Sequence, residues 1–73
     1  MENYKILDTK AIIAYLEQAG DVVAVADIIE HSGANRLRVS PILMELYLDE
    51  RLEVVEQTDL GGFVKVRLIP KAS

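Results

Sequence analysis

The 73-residue chain contains no cysteine, and it has a single histidine, His31. Without cysteine, neither a disulfide framework nor a thiolate metal site is open to it. No second soft ligand lies near His31 in the sequence, so we expect no bound metal and no cofactor. The core of so small a domain rarely supplies more than roughly 3 to 5 kcal/mol, which leaves oligomerisation as the remaining source of stability.

Long apolar segments are also absent, although apolar residues make up 51% of the chain. Runs such as residues 22–26 are too short for a membrane span or for the apolar core of a secretory signal. We therefore expect a soluble, cytoplasmic protein that does not bind membranes. The length allows a single domain over residues 1–73, made of an N-terminal segment (1–7), a helical part (8–51) and a hairpin (52–69).

Basic residues are scarce in the first half of the chain, which holds all the excess negative charge. Residues 1–35 carry two basic and six acidic side chains, whereas residues 36–73 carry six of each. The resulting net charge of −4 would slow the approach of a polyanion instead of steering it. Any binding of a polyanion must therefore depend on a local basic patch.

The first helix is predicted over about residues 9–19. Asp8 or Thr9 is suited to be its N-cap, and Gly20 is suited to end it. Apolar residues recur within it at helical spacing, namely Ile12, Ile13, Leu16 and Ala19. We expect this stripe to face the core.

The next segment predicts a short strand followed by a second helix. Val22 and Val23 are β-branched, which favours a strand at 22–24 beside a later hairpin. The second helix should cover about residues 25–32, where apolar side chains again recur at helical spacing. Gly33 provides its stop, because glycine readily adopts the left-handed conformation that ends many helices.

The third helix has two alternative starts. Asn35 could cap a helix that begins at Arg36, but Pro41 would then lie inside the helix and cost about 3 kcal/mol. Ser40 as N-cap, with Pro41 at the first helical position, avoids that cost because proline lacks a backbone N–H. This comparison favours the later start and a helix over about residues 41–50.

After Arg51 the apolar pattern changes to a period of two, which predicts a β-hairpin. A five-residue loop at 58–62 fixes the register of its strands. The buried face then pairs Leu52 with Leu68 and Val54 with Val66, and the outer face pairs Glu53 with Arg67 and Val55 with Lys65. A two-residue turn at 61–62 is the alternative, but it would bury Gln57 opposite Val66. We therefore expect the longer loop.

From about residue 9 to residue 69, the chain resembles the winged helix-turn-helix superfamily. Residues 20–33 (GDVVAVADIIEHSG) resemble the strand and second helix that open the motif, and residues 52–69 resemble the wing. The resemblance implies an α+β fold of three helices followed by a β-hairpin wing. In that superfamily the third helix usually enters the major groove of DNA, and many members are homodimeric bacterial regulators. The chain is also similar to small stand-alone bacterial winged-helix proteins whose role is unassigned.

By this resemblance, four basic residues are candidate contacts to DNA phosphates, namely Arg36, Arg38, Lys65 and Arg67. The two arginines lie just before or at the start of the third helix, and the other two lie on the second strand of the wing. Alternatively, Arg67 pairs with Glu53 across the hairpin, and the others are ordinary solvated charges. The segment 41–50 has no Arg, Lys, Asn, Gln, Ser or Thr with which to read base edges.

The third helix has two apolar faces. On a helical wheel, one face holds Ile42, Leu43 and Leu46, and the other holds Met44, Leu48 and Arg51, with Tyr47 between the two. One face must cover the core, and exposed apolar patches commonly mark interfaces. Met44, Tyr47 and Leu48 are therefore candidates for a homodimer or protein-partner surface. Alternatively, residues 4–7 fold back over this patch within one chain.

Two functions follow from the sequence, and they compete for the surface of the third helix. The first is a small DNA-binding transcriptional regulator that acts as a homodimer and contacts mainly the phosphate backbone. The second is a module for protein interaction or dimerisation that does not read DNA. We expect no enzymatic activity, because no serine, cysteine or carboxylate pair can be placed beside His31 from the sequence.

Overall fold

The chain forms an α+β fold of three helices and a three-stranded antiparallel sheet, in a computed structural model that describes residues 3–70. The helices are α1 (Tyr4–Ala19), α2 (Val25–His31) and α3 (Arg36–Leu48), and the strands are β1 (Val23–Ala24), β2 (Leu52–Gln57) and β3 (Phe63–Leu68). The strand order in the sheet is β1-β3-β2. Part of the predicted N-terminal segment, residues 1 and 2, lies outside the described residues.

α1 begins well before the predicted start at residue 8 or 9, so residues 4–7 are helical and not a separate segment. Its N-cap is Asn3, whose side-chain oxygen accepts two backbone hydrogen bonds from the first turn. The hydroxyl of Thr9 instead donates to the carbonyl of Lys5, inside the helix. An asparagine cap at residue 3 stabilises the earlier start because it satisfies backbone donors that would otherwise lack partners. Gly20 ends α1 as predicted, with φ 71°.

α3 begins at Arg36, so the predicted start at Pro41 is wrong. Asn35 caps the helix by accepting the backbone N–H of Leu37 at 2.8 Å. Pro41 consequently lies inside α3 and leaves the carbonyl of Leu37 without its usual donor. Leu37 is 84% exposed, so water can hydrogen-bond to its carbonyl in place of the missing donor. The longer helix also buries Val39 completely. The predicted start at Pro41 took account of the cost of an interior proline. It did not take account of the burial of Val39, which offsets that cost.

The C-terminal end of α3 is a tight left-handed turn. The helix ends at Leu48, two residues before the predicted end, and Glu50 has a φ of 61°. The backbone N–H of Arg51 donates to the carbonyl of Leu46 at 2.9 Å, and that of Glu50 donates to the carbonyl of Tyr47 at 3.1 Å. These two bonds form a Schellman motif, with glutamate at the position where glycine is usual.

The hairpin has the predicted five-residue loop, which joins β2 and β3 across residues 58–62. Three of the predicted pairs are confirmed, namely Leu52 with Leu68, Glu53 with Arg67 and Val54 with Val66. The predicted short strand also forms, as β1, and it pairs with β3 through Val23 and Val66.

The predicted pairing of Val55 with Lys65 is wrong. The register shifts after Val54, so that Glu56 lies opposite Lys65 and Val55 has no partner. Such a bulge bends the strand and increases its local twist. Here it also brings Lys65 Nζ to 3.7 Å from Glu56 Oε1, so that two opposite charges face each other across the strands.

The core lies between the helices and one face of the sheet, and every element contributes to it. Its buried apolar residues are Ile12, Leu16, Val23, Val25, Ile28, Ala34, Val39, Ile42, Leu43, Leu46, Leu52 and Val66. Ala19, expected on the buried stripe of α1, is exposed because it lies at the end of that helix. Within residues 3–70, no polar or charged side chain is buried. No helix of this part of the chain combines the length and the apolar character needed to cross a membrane.

Candidate functional site

α3 presents a line of four exposed apolar residues on the side away from the core, which we call the outer stripe: Leu37, Pro41, Met44 and Leu48. Their spacing of four, three and four residues keeps them on one side of a helix. Leu37 is 84% exposed, Leu48 70% and Met44 44%. The sequence-predicted interface residues Met44 and Leu48 thus belong to a longer exposed surface.

The hairpin lies along one flank of the outer stripe. The ring of Tyr47 contacts the ring of Phe63 edge-on, with the centroids 5.6 Å apart. A depression of about 140 Å³ lies between α3 and the hairpin loop, and it is lined by Ser40, Leu43, Met44, Gly61, Gly62 and Phe63. Tyr47, the third predicted interface residue, therefore has an aromatic partner within the chain and is still 45% exposed.

The beginning of α1 lies along the other flank of the outer stripe. Lys5 Nζ is 2.7 Å from Glu45 Oε1, and Arg38 Nη1 is 3.0 Å from Asp8 Oδ2. These contacts hold residues 4–7 beside the outer stripe, where they leave Met44 and Leu48 exposed. The alternative in which residues 4–7 cover the patch is therefore wrong.

The two arginines of α3 differ in their surroundings. Arg38 pairs with Asp8, and its guanidinium carbon lies 5.6 Å from the ring centroid of Tyr4. Arg36 is exposed at the first position of the helix, and it forms no ion pair with any residue of the described range 3–70. Of these two arginines, Arg36 is therefore the one that is available to a phosphate without competition from a neighbouring carboxylate.

The two basic residues of the hairpin both pair with glutamates on β2. Arg67 forms an ion pair with Glu53, as the alternative interpretation of the sequence expected, and Lys65 lies near Glu56. Each pair is about half exposed, so it contributes little to stability. Each glutamate nevertheless reduces the attraction of its partner for a phosphate group.

The charges along α3 run against the helix dipole. Arg36 and Arg38 lie in the first turn, which has no acidic residue, whereas Glu45 and Asp49 lie near the end, where the last turn has no basic residue. A helix N-terminus favours negative charge and a C-terminus favours positive charge, by about 0.3 to 1 kcal/mol for an exposed group. The dipole of α3 therefore disfavours the charges that this helix carries at both ends.

A group of polar side chains on α2 has the composition of a metal site but not its enclosure. Asp27, Glu30 and His31 can bring one ligand atom each to within 4.8 Å of the others, and His31 Nε2 is 3.6 Å from Glu30 Oε2. All three are exposed and come from a single seven-residue helix. Exposed groups of this kind are common in proteins that bind no metal, so this group does not indicate a metal site. That the protein has no metal and no enzymatic activity stays a prediction.

A cleft of about 470 Å³ lies away from the outer stripe, between the end of α1 and the end of β3. Its lining combines apolar side chains, such as Ile13 and Leu68, with exposed carboxylates, such as Glu17 and Glu50. No polar side chain in residues 3–70 is buried, so the cleft lacks the buried polar side chains that commonly orient a ligand. The outer stripe is the stronger candidate site.

Comparison of the chain with known protein families, with curated proteins and with solved structures found no match. The site is therefore interpreted from its own residues. From the sequence, Met44 and Leu48 were candidate interface residues, whereas Leu37 and Pro41 were not. The predicted helix began after Leu37, and Pro41 was considered only as its first residue. The signal that could have found them is the spacing of the four residues, read together with Asn35 as the cap.

Proposed function

We propose that this protein is a winged-helix module for protein interaction that acts as a homodimer, without enzymatic activity, in the cytoplasm. The order of elements supports the winged-helix assignment, since a short strand separates α1 from α2 and a hairpin follows α3. The pairing of β1 with β3, which joins the short strand to the hairpin, supports it as well. In this assignment α3 corresponds to the helix that enters the major groove in DNA-binding relatives.

The outer stripe carries the proposal. Leu37, Pro41, Met44 and Leu48 occupy the surface of α3 that faces away from the core, and their side chains have no hydrogen-bond donor with which to read a base edge. Burial of apolar surface stabilises an interface by about 25 cal/mol per Å². A protein surface that covers these side chains gains this free energy, whereas a solvated DNA groove offers little of it.

A second candidate function, binding to the DNA backbone, is favoured by one observation. Arg36 is exposed at the first position of α3, where a phosphate contact is common in DNA-binding helices. Each phosphate that a protein neutralises contributes about −0.9 to the salt slope of binding. A protein that depends mainly on Arg36 would therefore bind weakly, with a shallow salt dependence.

Light scattering with and without DNA distinguishes the two functions. We expect a mass of twice the 8.1 kDa chain, and we expect a mixed-sequence duplex to leave that mass unchanged at low and moderate salt. A matched variant, Arg36→Ala, should behave in the same way. A mass of one chain at every concentration would contradict the proposal. So would a DNA-dependent increase in mass that disappears with salt and is weakened in Arg36→Ala, which is the result that the second function requires.

A further inference from the structure

We infer that the outer stripe binds the outer stripe of a second copy of this chain, with the two α3 helices antiparallel. This inference rests on the proposed function and gives its dimer a geometry. The spacing of four, three and four residues between Leu37, Pro41, Met44 and Leu48 is that of a coiled-coil seam. α3 has 13 residues and is therefore about 20 Å long, which is enough for one short seam.

The charges beside the outer stripe favour the antiparallel orientation. Arg38, Glu45 and Asp49 share one flank of α3, with the base near the N-terminal end and the acids near the C-terminal end. In the antiparallel dimer, a two-fold axis passes through the middle of the outer stripe. This flank of one α3 then lies against the same flank of the other α3, with the order of the residues reversed. Arg38 of each chain then lies within about one helical turn of Glu45 and Asp49 of the other chain.

A parallel pair of α3 helices would bring like charges together at both ends. Arg36 and Arg38 of both chains would lie at one end of the seam, and Glu45 and Asp49 of both chains would lie at the other. Such pairs repel and raise the free energy of the wrong orientation.

The antiparallel orientation also explains charges that the isolated helix does not favour. The basic N-terminal end of α3 opposes its own dipole, and so does the acidic C-terminal end. An antiparallel second copy places an acidic helix end beside each basic one, so the same charges become attractive between chains. Within one chain, ion pairs with Asp8 and Lys5 account for Arg38 and Glu45. No ion pair within residues 3–70 accounts for Arg36 or Asp49.

The groups required for the seam are accessible in the single chain. Arg38 donates to Asp8, yet its side chain is still 40% exposed, and a guanidinium has five N–H donors. Glu45 pairs with Lys5, and its side chain is still 52% exposed. Tyr4, whose ring lies beside Arg38, is exposed as well. Stable complexes bury roughly 800 Å² of surface per partner. Because one short seam buries less surface than that, we expect a reversible, concentration-dependent dimer.

Disulfide cross-linking between single-cysteine chains tests the orientation, and the native chain contributes no thiol of its own. Leu37→Cys and Leu48→Cys place thiols at the two ends of the stripe, at residues that are 84% and 70% exposed and so tolerate replacement. The antiparallel seam sets Leu37 opposite Leu48 of the second copy. The two copies of Leu37 are then about 16 Å apart along the helix, well beyond the roughly 7 Å that a disulfide can span between Cα atoms.

The expected result is a disulfide between the two variants when they are mixed, with one chain carrying a mass tag, and little cross-linking of either variant with itself. Self-cross-linking of Leu37→Cys chains would overturn the inference in favour of a parallel seam. A dimeric mass without any cross-link would also overturn it, by placing the interface elsewhere. Both of these results leave the proposed function standing, whereas a monomeric mass throughout contradicts the inference and the proposed function together.

A charge substitution, which needs no cysteine, tests whether the charges along α3 favour the antiparallel orientation. We expect Asp49→Lys to raise the unfolding midpoint of the dilute chain, because it places a positive charge at the C-terminal end of α3. In the dimer the new lysine would face Arg38 of the second copy, so the monomer–dimer transition should move to roughly tenfold higher protein concentration. The matched control is Asp21→Lys, which makes the same charge change just after α1. Equal effects of the two variants on dimerisation would overturn the inference.

Discussion

Glu50 shows how a single residue can retain backbone strain in a small domain. It has a φ of 61°, and no other residue of the described chain except glycine has a positive φ. The left-handed conformation costs roughly 1 kcal/mol for a residue with a Cβ atom, whereas glycine adopts it freely. The Schellman motif after α3 requires that conformation at this position, so the turn is formed at the expense of stability.

Replacement of Glu50 by glycine should therefore stabilise the fold. We expect Glu50→Gly to raise the free energy of unfolding by about 0.5 to 1 kcal/mol, as measured by urea denaturation. Asp49→Gly is the matched control, because Asp49 has a φ of −82° and glycine offers no relief there. A loss of stability in Glu50→Gly would mean that the glutamate side chain contributes more than the strain removes.

At the scale of the element, α3 shows what the sequence could and could not predict. The buried face of the helix was predictable, because Ile42, Leu43 and Leu46 recur at helical spacing. Its start was not, since local rules favour both Asn35 and Ser40 as caps and only the packing of the preceding turn decides between them. The error removed Leu37 from the candidate surface.

In the hairpin, too, the sequence pattern predicted one part of the structure and not another. Alternating apolar residues fixed three of its pairs and the loop length correctly, because a slip of one residue would expose the buried face. The bulge at Val55 left no such signal. Val55 is 49% exposed, so its displacement changes little of the apolar burial from which the register was derived.

Pro41, which lies inside α3, is expected to lower the stability of the fold. Pro41→Ala restores a backbone donor for the carbonyl of Leu37 and removes the clash of the proline ring with the preceding turn. We expect the free energy of unfolding to rise by about 1 to 3 kcal/mol, as measured by chemical denaturation. Pro70→Ala is the control, since Pro70 lies outside the helices and strands. An unfolding free energy equal to or below that of the native chain would contradict this expectation.

At the scale of the whole molecule, the apolar and charged groups are distributed as the proposed self-association requires. The twelve apolar residues that are buried within residues 3–70 form one core, and the outer stripe remains as a second apolar surface on the opposite side of α3. Three of the four basic residues that resembled DNA contacts are paired with carboxylates instead. DNA binding through α3 and dimerisation through the outer stripe would exclude each other, so one measurement of mass bears on both.

The most direct test of the central claim is the sedimentation mass of Leu48→Glu over a range of protein concentrations, beside the native chain and Leu60→Glu. Leu48 is 70% exposed on the outer stripe, and Leu60 is 99% exposed in the hairpin loop, so both variants should keep the native circular dichroism. We expect the native chain and Leu60→Glu to form dimers at the same concentrations, and Leu48→Glu to remain a folded monomer, because a seam would bury its charge without a partner. A Leu48→Glu protein that dimerises as readily as the native chain would contradict the claim that the outer stripe is the interface.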